Sequence, residues 1–170
     1  MKTPYTRRVL YTDGSVHRNG HEDASGAYAW LEVDPKGILR EHASNIDKSG
    51  VTPTNMRMEM MAVISALHAC EPEDMVLIRS DSAYIVNGMN DAWYEGWFKK
   101  GVNSLGKVPA NLDLWHILVR ATARISSVIF EHIKGHLGDP YNERCDQIAG
   151  MFSGGKDEEG SEHKYERPIH

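Results

Sequence analysis

The sequence predicts an α/β protein with one mixed β-sheet that is flanked by helices. Two observations lead to this prediction. The first three strand-like runs follow one another and a tight turn joins the second to the third, which favours an antiparallel meander, and the later strand-like runs alternate with helical runs. Alternation of this kind favours crossover connections between parallel strands. We therefore expect a meander followed by parallel strands in a single sheet.

Strands are predicted where apolar residues alternate with polar ones or form short apolar runs. These stretches are Arg7–Thr12, Gly26–Val33, Leu39–Asn45, Met75–Arg79 and Ser127–His132. The sequence Asp-Pro-Lys-Gly at 34–37 is typical of a tight turn. It joins the second and third strands as an antiparallel pair.

The longest helix is predicted for Thr54–Ala69, where apolar residues recur at helical spacing and Thr54 is a suitable N-cap. Shorter helices are predicted for Ala83–Gly88, Ala92–Lys99, Leu112–Arg124 and Tyr141–Phe152. Residues 1–152 are therefore expected to form one domain. Residues 153–170 are polar, glycine-rich and charged, a composition typical of a disordered tail.

The composition is that of one soluble globular domain, with 170 residues of which 41% are hydrophobic and 25% charged. There is no apolar run of signal-peptide length at the N-terminus, and no segment approaches the ~18 apolar residues that span a membrane. We expect a cytoplasmic protein without membrane contact. The net charge of −5 argues against nonspecific coating of nucleic acid, so any site for a polyanion must be compact. Cys70 and Cys145 lack metal-ligand spacing and are expected to be buried.

Four acidic residues stand where a carboxylate is unusual. Asp13 and Asp81 each end a predicted strand, Glu59 lies among apolar helical neighbours, and Asp146 lies in the last predicted helix. Ordinary alternatives exist, since Asp13 can cap a turn at Asp-Gly and Glu59 can pair with Arg57 or face solvent. Ligand crevices of open α/β sheets lie beyond the carboxyl ends of strands, so Asp13 and Asp81 are expected to converge there.

Converging carboxylates repel one another unless a cation neutralises them. Magnesium prefers oxygen ligands that are completed by water and phosphate, whereas zinc prefers the His and Cys pairs that this sequence lacks. The acids therefore predict a magnesium site for phosphoryl chemistry.

The segments that carry these acids read YTDGS, NMRMEMMAV, SDSAY and IKGHLGDPYNERCDQIA. Together and in this order they resemble the type 1 ribonuclease H family, and the resemblance extends from about Arg7 to Met151. It implies the ribonuclease H-like fold, a five-stranded mixed sheet with Asp13 and Asp81 on neighbouring parallel strands. It also implies an endonuclease that hydrolyses the RNA strand of an RNA/DNA hybrid and leaves 5′-phosphate and 3′-hydroxyl ends.

The resemblance further implies two Mg²⁺ ions in the substrate complex, for which Mn²⁺ can substitute. Asp13 would bridge both ions, Glu59 and Asp81 would hold the ion near the leaving group, and Asp146 would serve the ion that carries the nucleophile. Glu59 would also lie near the 2′-hydroxyl that marks the cut strand as RNA. His136, in the Lys-Gly-His loop, matches a mobile histidine of the family that assists proton transfer or product release.

Implied contacts with the hybrid match the family less closely. Asn19 and Thr54 match positions near the hybrid backbone, Thr54 in a pocket for a DNA phosphate, and Asn55 matches an asparagine that reads the minor groove. Met56 and Ala83 stand where many relatives have asparagine and glutamine. Both departures remove polar contacts to nucleic acid, so weaker binding or an altered cleavage preference is expected.

The stretch AWYEGWFKKGVNSLGKVPANLDLW resembles the basic protrusion with which the family grips the DNA strand. Trp93, Trp97, Lys99, Lys100 and Lys107 supply its aromatic surface and positive charge. The alternative is that the two tryptophans, spaced four residues apart, pack the helix onto the domain, and this is favoured for at least one of them.

Two other functions fit parts of the sequence. A catalytically silent hybrid-binding module is disfavoured by the four intact acids. A DNA nuclease on the same fold, such as a junction resolvase or a transposase core, is disfavoured by the Lys-Gly-His loop and the protrusion. A monomer is expected.

Overall fold

The computed structural model describes residues 7–18, 21, 23–45, 50–135, 138–154 and 164–168. The strands are β1 (Arg8–His17), β2 (Ser25–Asp34), β3 (Gly37–Ser44), β4 (Met75–Ser80), β5 (Ser127–His132) and β6 (Lys164–Pro168). The helices are α1 (Asn55–His68), α2 (Ala83–Asn90), α3 (Trp93–Lys100), α4 (Leu112–Ala123) and α5 (Pro140–Gly154). The predicted bounds hold to within about two residues except at the end of β1 and at β6.

The strands form one mixed sheet in the order β5-β4-β1-β2-β3-β6. β1 pairs antiparallel with β2, and β2 with β3, so the predicted meander is confirmed. β4 lies parallel to both β1 and β5, which the helical crossovers allow. The mixed sheet of meander and parallel strands that the sequence predicts is therefore confirmed.

β6 is a strand that the sequence did not predict. Its residues pair antiparallel with Arg40–Ser44 of β3, at the edge of the predicted sheet. An edge strand offers unpaired backbone groups to any neighbouring chain, so pairing needs no apolar pattern in the added strand. Lys164–Pro168 thus form a strand within the stretch for which the composition allows a disordered tail.

Hydrophobic clusters cover both faces of the sheet. The larger cluster lies under α1, α2 and α4 and includes Leu10, and the smaller one lies under α5 and includes Tyr11. Successive residues of a strand point to opposite faces, so β1 contributes to both clusters. Cys70 and Cys145 are both buried and free, as expected.

Thr54 caps α1 as predicted, because its hydroxyl accepts a hydrogen bond from the Arg57 backbone nitrogen at 3.2 Å. The Arg57 side chain is buried and donates to Asp113 at 3.0 and 3.1 Å, and to Asn111 at 3.2 Å. This contact ties the first turn of α1 to the start of α4.

β1 does not end at Asp13, so this part of the prediction is wrong. Its parallel pairing with β4 stops at Thr12, but its antiparallel pairing with β2 continues to His17. Asp-Gly forms no turn here. Gly14 instead permits a close approach of α1, since a Cβ atom on Gly14 would overlap the backbone of Met58 and Glu59. The space beside Asp13 arises because β4 ends, while β1 runs on.

None of the helices in the described part of the chain is long and apolar enough to cross a membrane.

Gly14→Ala is expected to destabilise the protein by about 2–4 kcal/mol, because the new methyl group must push the backbone of α1 away from β1. The measurement is urea unfolding. Gly150→Ala on α5 is the matched control, since its Cβ position has no contact within 4 Å among the described residues outside the adjoining helix backbone, and it is expected to be neutral or to stabilise by up to about 1 kcal/mol. Equal effects of the two changes would contradict the close approach.

Candidate active site

Three carboxylates meet beyond the end of β4. One oxygen atom each from Asp13, Glu59 and Asp81 lies within 4.8 Å of the other two. Asp13 belongs to β1, Glu59 to α1, and Asp81 follows β4 directly. The end of β4 and the close approach of α1 to Gly14 thus bring together acids from three separate elements.

The Asp13 and Glu59 oxygens of this group differ in their hydrogen bonding. Asp13 Oδ1 accepts a hydrogen bond from the Gly14 backbone nitrogen at 2.9 Å. Glu59 Oε2 is buried and has no hydrogen-bond partner in the described part of the structure. Arg57, the alternative partner of Glu59, is engaged with Asp113 instead. A buried acceptor without a donor is costly, and a bound cation would satisfy it.

Burial favours the protonated forms of Asp13 and Glu59. It raises the pKa of Asp13 to about 7, and the charges of Asp81 and Asp146 act in the same direction. Burial also raises the pKa of Glu59 well above its usual range, with a further contribution from Asp13. A second negative charge beside Asp13 or Glu59 is therefore unfavourable, and a proton or a cation between them is favourable.

Asp146 lies at the rim and is not part of the group of three. It is exposed on α5, yet near enough for its charge to raise the pKa of Asp13. Neighbouring contacts fix this part of α5: Asp139 Oδ1 accepts from the backbone nitrogens of Tyr141 and Asn142, and the Cys145 thiol donates to the Ala29 carbonyl at 3.3 Å. The helix thus presents Asp146 beside the cluster without burying it.

His136 and Asn19 lie outside the described residues. The residue before His136 is Gly135, and a Cβ atom added to Gly135 would lie 2.9 Å from Asp81 Oδ2. His132 Nε2 also lies 3.2 Å from the Asp81 carbonyl oxygen. Sequence reasoning missed both contacts with Asp81, although a glycine next to a candidate histidine is a signal of close backbone approach.

Thr54 and Asn55 are exposed at the start of α1. Met56 is half-buried, packs against the larger core cluster and accepts a weak hydrogen bond from the Ser82 hydroxyl at 3.9 Å. Ala83, the other departure from the family, is exposed at the first position of α2. The surface between α1 and α2 therefore presents a thioether and a methyl group beside the acids.

The protrusion consists of α3 and the loop to Asn111. Trp97 packs against the larger core cluster, so the packing alternative applies to it. Trp93 remains 38% exposed and contacts Tyr84 and Trp97. Lys99 and Lys100 are exposed in the last turn of α3.

The sequence model of the RNase H family matches residues 6–153. Ribonuclease H of Chlorobaculum parvum is 40% identical over 144 residues, which cover 84% of this chain and 92% of the relative. Ribonuclease H of Lachnoclostridium phytofermentans is 38% identical over 152 residues, which cover 86% of this chain and 92% of the relative.

Solved structures agree in fold. LC9-RNase H1, described as a type 1 RNase H with the type 2 active-site motif, has a TM-score of 0.73 at 27% identity, over 97% of this chain and 80% of that chain. LC11-RNase H1 in complex with an RNA/DNA hybrid has a TM-score of 0.60 at 23% identity, over 85% of this chain and 94% of that chain. With a family match over most of its length and two relatives close to 40% identity, the chain belongs to the ribonuclease H family of enzymes.

Proposed function

We propose that this protein is an endonuclease that hydrolyses the RNA strand of RNA/DNA hybrids with the help of two divalent cations, leaving 5′-phosphate and 3′-hydroxyl ends. The observation that carries the proposal is the group of Asp13, Glu59 and Asp81 in a chain of this family. The complex of LC11-RNase H1 with an RNA/DNA hybrid supports the substrate class. We further propose that the protein acts as a monomer in the cytoplasm.

The donor set fits a hard cation. All three grouped side chains offer carboxylate oxygens, and Glu59 Oε2, which has no hydrogen-bond partner among the described residues, can serve as a metal ligand. Mg²⁺ is the proposed ion, with Mn²⁺ as a substitute. Asp13, Glu59 and Asp81 would hold one ion, and Asp13 with Asp146 the other. When bound, the ions activate water and stabilise the departing 3′-oxygen.

The residues of the chain bind and orient the hybrid. Thr54 and Asn55 lie at the exposed N-terminus of α1, where the helix dipole favours a phosphate, and Glu59 lies one turn further along the same helix. We assign the phosphate at Thr54 to the DNA strand, and we assign Glu59 to the 2′-hydroxyl of the RNA strand, so the two strands of one hybrid would contact neighbouring parts of α1. Hybrids are recognised by groove shape and by this hydroxyl, and base sequence matters little.

The histidine of the Lys-Gly-His loop completes the proposal. Gly135 approaches the Asp81 carboxylate closely. His136 follows directly in the chain, and we assign it proton transfer or product release.

Four short labelled duplexes test the function with Mg²⁺ present: an RNA/DNA hybrid, duplex RNA, duplex DNA, and DNA with one ribonucleotide. We expect efficient cleavage only in the RNA strand of the hybrid, with 5′-phosphate ends. Cleavage of duplex DNA would instead identify a DNA nuclease, and binding without cleavage would identify a silent hybrid-binding module.

Asp13→Asn is expected to abolish cleavage while hybrid binding in metal-free buffer survives or improves, because a ligand shared by both ions is lost while one negative charge facing the phosphates is removed. The measurements are single-turnover cleavage and binding anisotropy in EDTA. Unchanged turnover would exclude Asp13 as a ligand.

The same change is expected to make metal-free stability less dependent on pH. The pKa of Asp13 is about 7 in the folded protein, against an ordinary value of 3.8. Protonation of Asp13 therefore contributes its full stabilisation of the fold at pH values below 3.8. That contribution is lost as pH rises through about 7. In EDTA at pH 8, Asp13→Asn should therefore be more stable than the parent by about 1 kcal/mol or more, and the difference should shrink at pH 5. A difference that is equal at both pH values in urea unfolding would contradict this assignment.

Replacing Lys99 and Lys100 together by Ala is expected to raise KM and to flatten the slope of log K against log[salt] by about one unit for each lost phosphate contact. Lys36→Ala is a control for the loss of one charge, because Lys36 is exposed in the turn between β2 and β3, away from the acids. If the double variant keeps the parental slope, the protrusion has only a structural role.

His136→Ala is expected to lower kcat by roughly ten- to a thousand-fold, since assistance by a general acid or base is worth about 10²–10⁴-fold. KM should stay within a few-fold and the requirement for Mg²⁺ should not change, because the carboxylates still bind the ions. Steady-state kinetics over a Mg²⁺ titration measure both. A variant as inactive as Asp13→Asn, or a loss confined to KM, would show that His136 is a ligand or a substrate contact.

A further inference from the structure

A cavity of about 560 Å³ opens between α2, α3 and the loop that follows α3. This volume is in the range of pockets that hold small molecules. Its walls combine three kinds of side chain: aromatic rings of Tyr84, Trp93 and Trp97, the cation of Lys100, and the polar groups of Asn103 and Ser104. We call it the protrusion pocket.

The aromatic wall is held in place from the core side. Trp115 is fully buried, and the rings of Tyr84 and Trp97 meet it edge-on, with centroids at 5.6 and 5.4 Å. Trp93 is one step further out, with its ring centroid 5.9 Å from Tyr84 and 6.4 Å from Trp97. It remains 38% exposed. Trp93 is thus an ordered aromatic surface that its neighbours orient and leave open for stacking.

The opposite wall is a preformed turn. The Asn103 side-chain oxygen accepts hydrogen bonds from the backbone nitrogens of Leu105 at 2.9 Å and Lys107 at 3.1 Å, and the Asn103 backbone nitrogen donates to the Lys107 carbonyl at 2.8 Å. These bonds fix the side chain of Asn103 through its oxygen, and its amide nitrogen donates to no other residue that the structure describes, so it can donate to a ligand.

The charge around the pocket favours an anion. Lys100 lines the pocket, and Lys99 and Lys107 are exposed at the end of α3 and in the loop that follows it. Glu95 and Asp91 lie at the other end of α3 and reduce the positive charge there. An aromatic platform, a cation and fixed polar groups within one cavity are the chemistry that binds a base together with its phosphate.

We propose that the protrusion pocket binds one unpaired nucleotide of a strand that extends beyond the hybrid duplex. The base stacks on Trp93, Lys100 contacts the adjoining phosphate, and Asn103 donates to the base or sugar. Bases within a duplex are stacked on their neighbours, so only an unpaired base can enter. The pocket lies on the surface that the proposed function assigns to the hybrid backbone, but its binding of a single strand does not require cleavage.

The test is binding to three labelled hybrids in EDTA, measured by fluorescence anisotropy. One hybrid is blunt, one carries a short single-stranded extension, and one carries the same extension without bases. Stacking on an aromatic side chain predicts at least about fivefold tighter binding of the extended hybrid than of the blunt one. The abasic extension keeps the phosphates and should give no such gain. Placing the extension in turn on the DNA and the RNA strand identifies which strand supplies the nucleotide.

Three variants assign the gain to the pocket. Trp93→Ala should remove the gain, and Lys100→Ala should reduce it. Lys99→Ala is the matched control, since it removes the same charge from an exposed residue that does not line the pocket. It should leave the ratio between extended and blunt hybrids unchanged, even where it weakens binding to both. If Trp93→Ala does not fold, the two lysine variants and the abasic extension still decide.

No gain from the extension, an equal gain from the abasic extension, or equal effects of the two lysine variants on the ratio would overturn the proposal. Cleavage of the blunt hybrid with Mg²⁺ is measured in parallel. A protein that cleaves the hybrid but shows no gain refutes the pocket alone. A protein that shows the gain but does not cleave refutes the proposed function alone.

Discussion

The candidate site depends on one backbone contact, in which α1 lies directly against Gly14 of β1. Any Cβ atom at this position would overlap Met58 and Glu59. The contact sets the distance between a strand that carries Asp13 and a helix that carries Glu59, so the two carboxylates are neighbours before any cation arrives. Arg57 and its partner Asp113 then fix the same turn of α1 against α4.

This preorganisation opposes folding in the absence of a cation. Two carboxylates are taken out of water, and burial raises the pKa of each. The hydrophobic clusters on both faces of the sheet must outweigh that cost, and the adjoining residues Leu10 and Tyr11 contribute one side chain to each cluster. A cation that binds only the folded state would recover part of the cost. The buried acids that the proposed chemistry needs therefore lower the stability of the apoprotein.

Sequence patterns predicted the sheet and the helices because apolar periodicity reports which face of each element is buried. They misjudged the end of β1, since the local turn preference of Asp-Gly is overridden by pairing with β2. They placed Asp146 near the other acids, and its charge does raise the pKa of Asp13, but its exposure follows from the path of α5, which local patterns do not report. The protrusion pocket was not predictable, because it depends on how the loop around Asn103 faces α3, a relation between elements that no periodicity records.

β6 joins the sheet through backbone pairing with β3. Two strands, β3 and β2, separate it from the strand that carries Asp13. Pairing of this kind constrains main-chain geometry far more than side-chain identity, so the sequence of such a strand is free to drift during evolution while its place in the sheet persists. Changes in this C-terminal strand would therefore leave the acidic group in place.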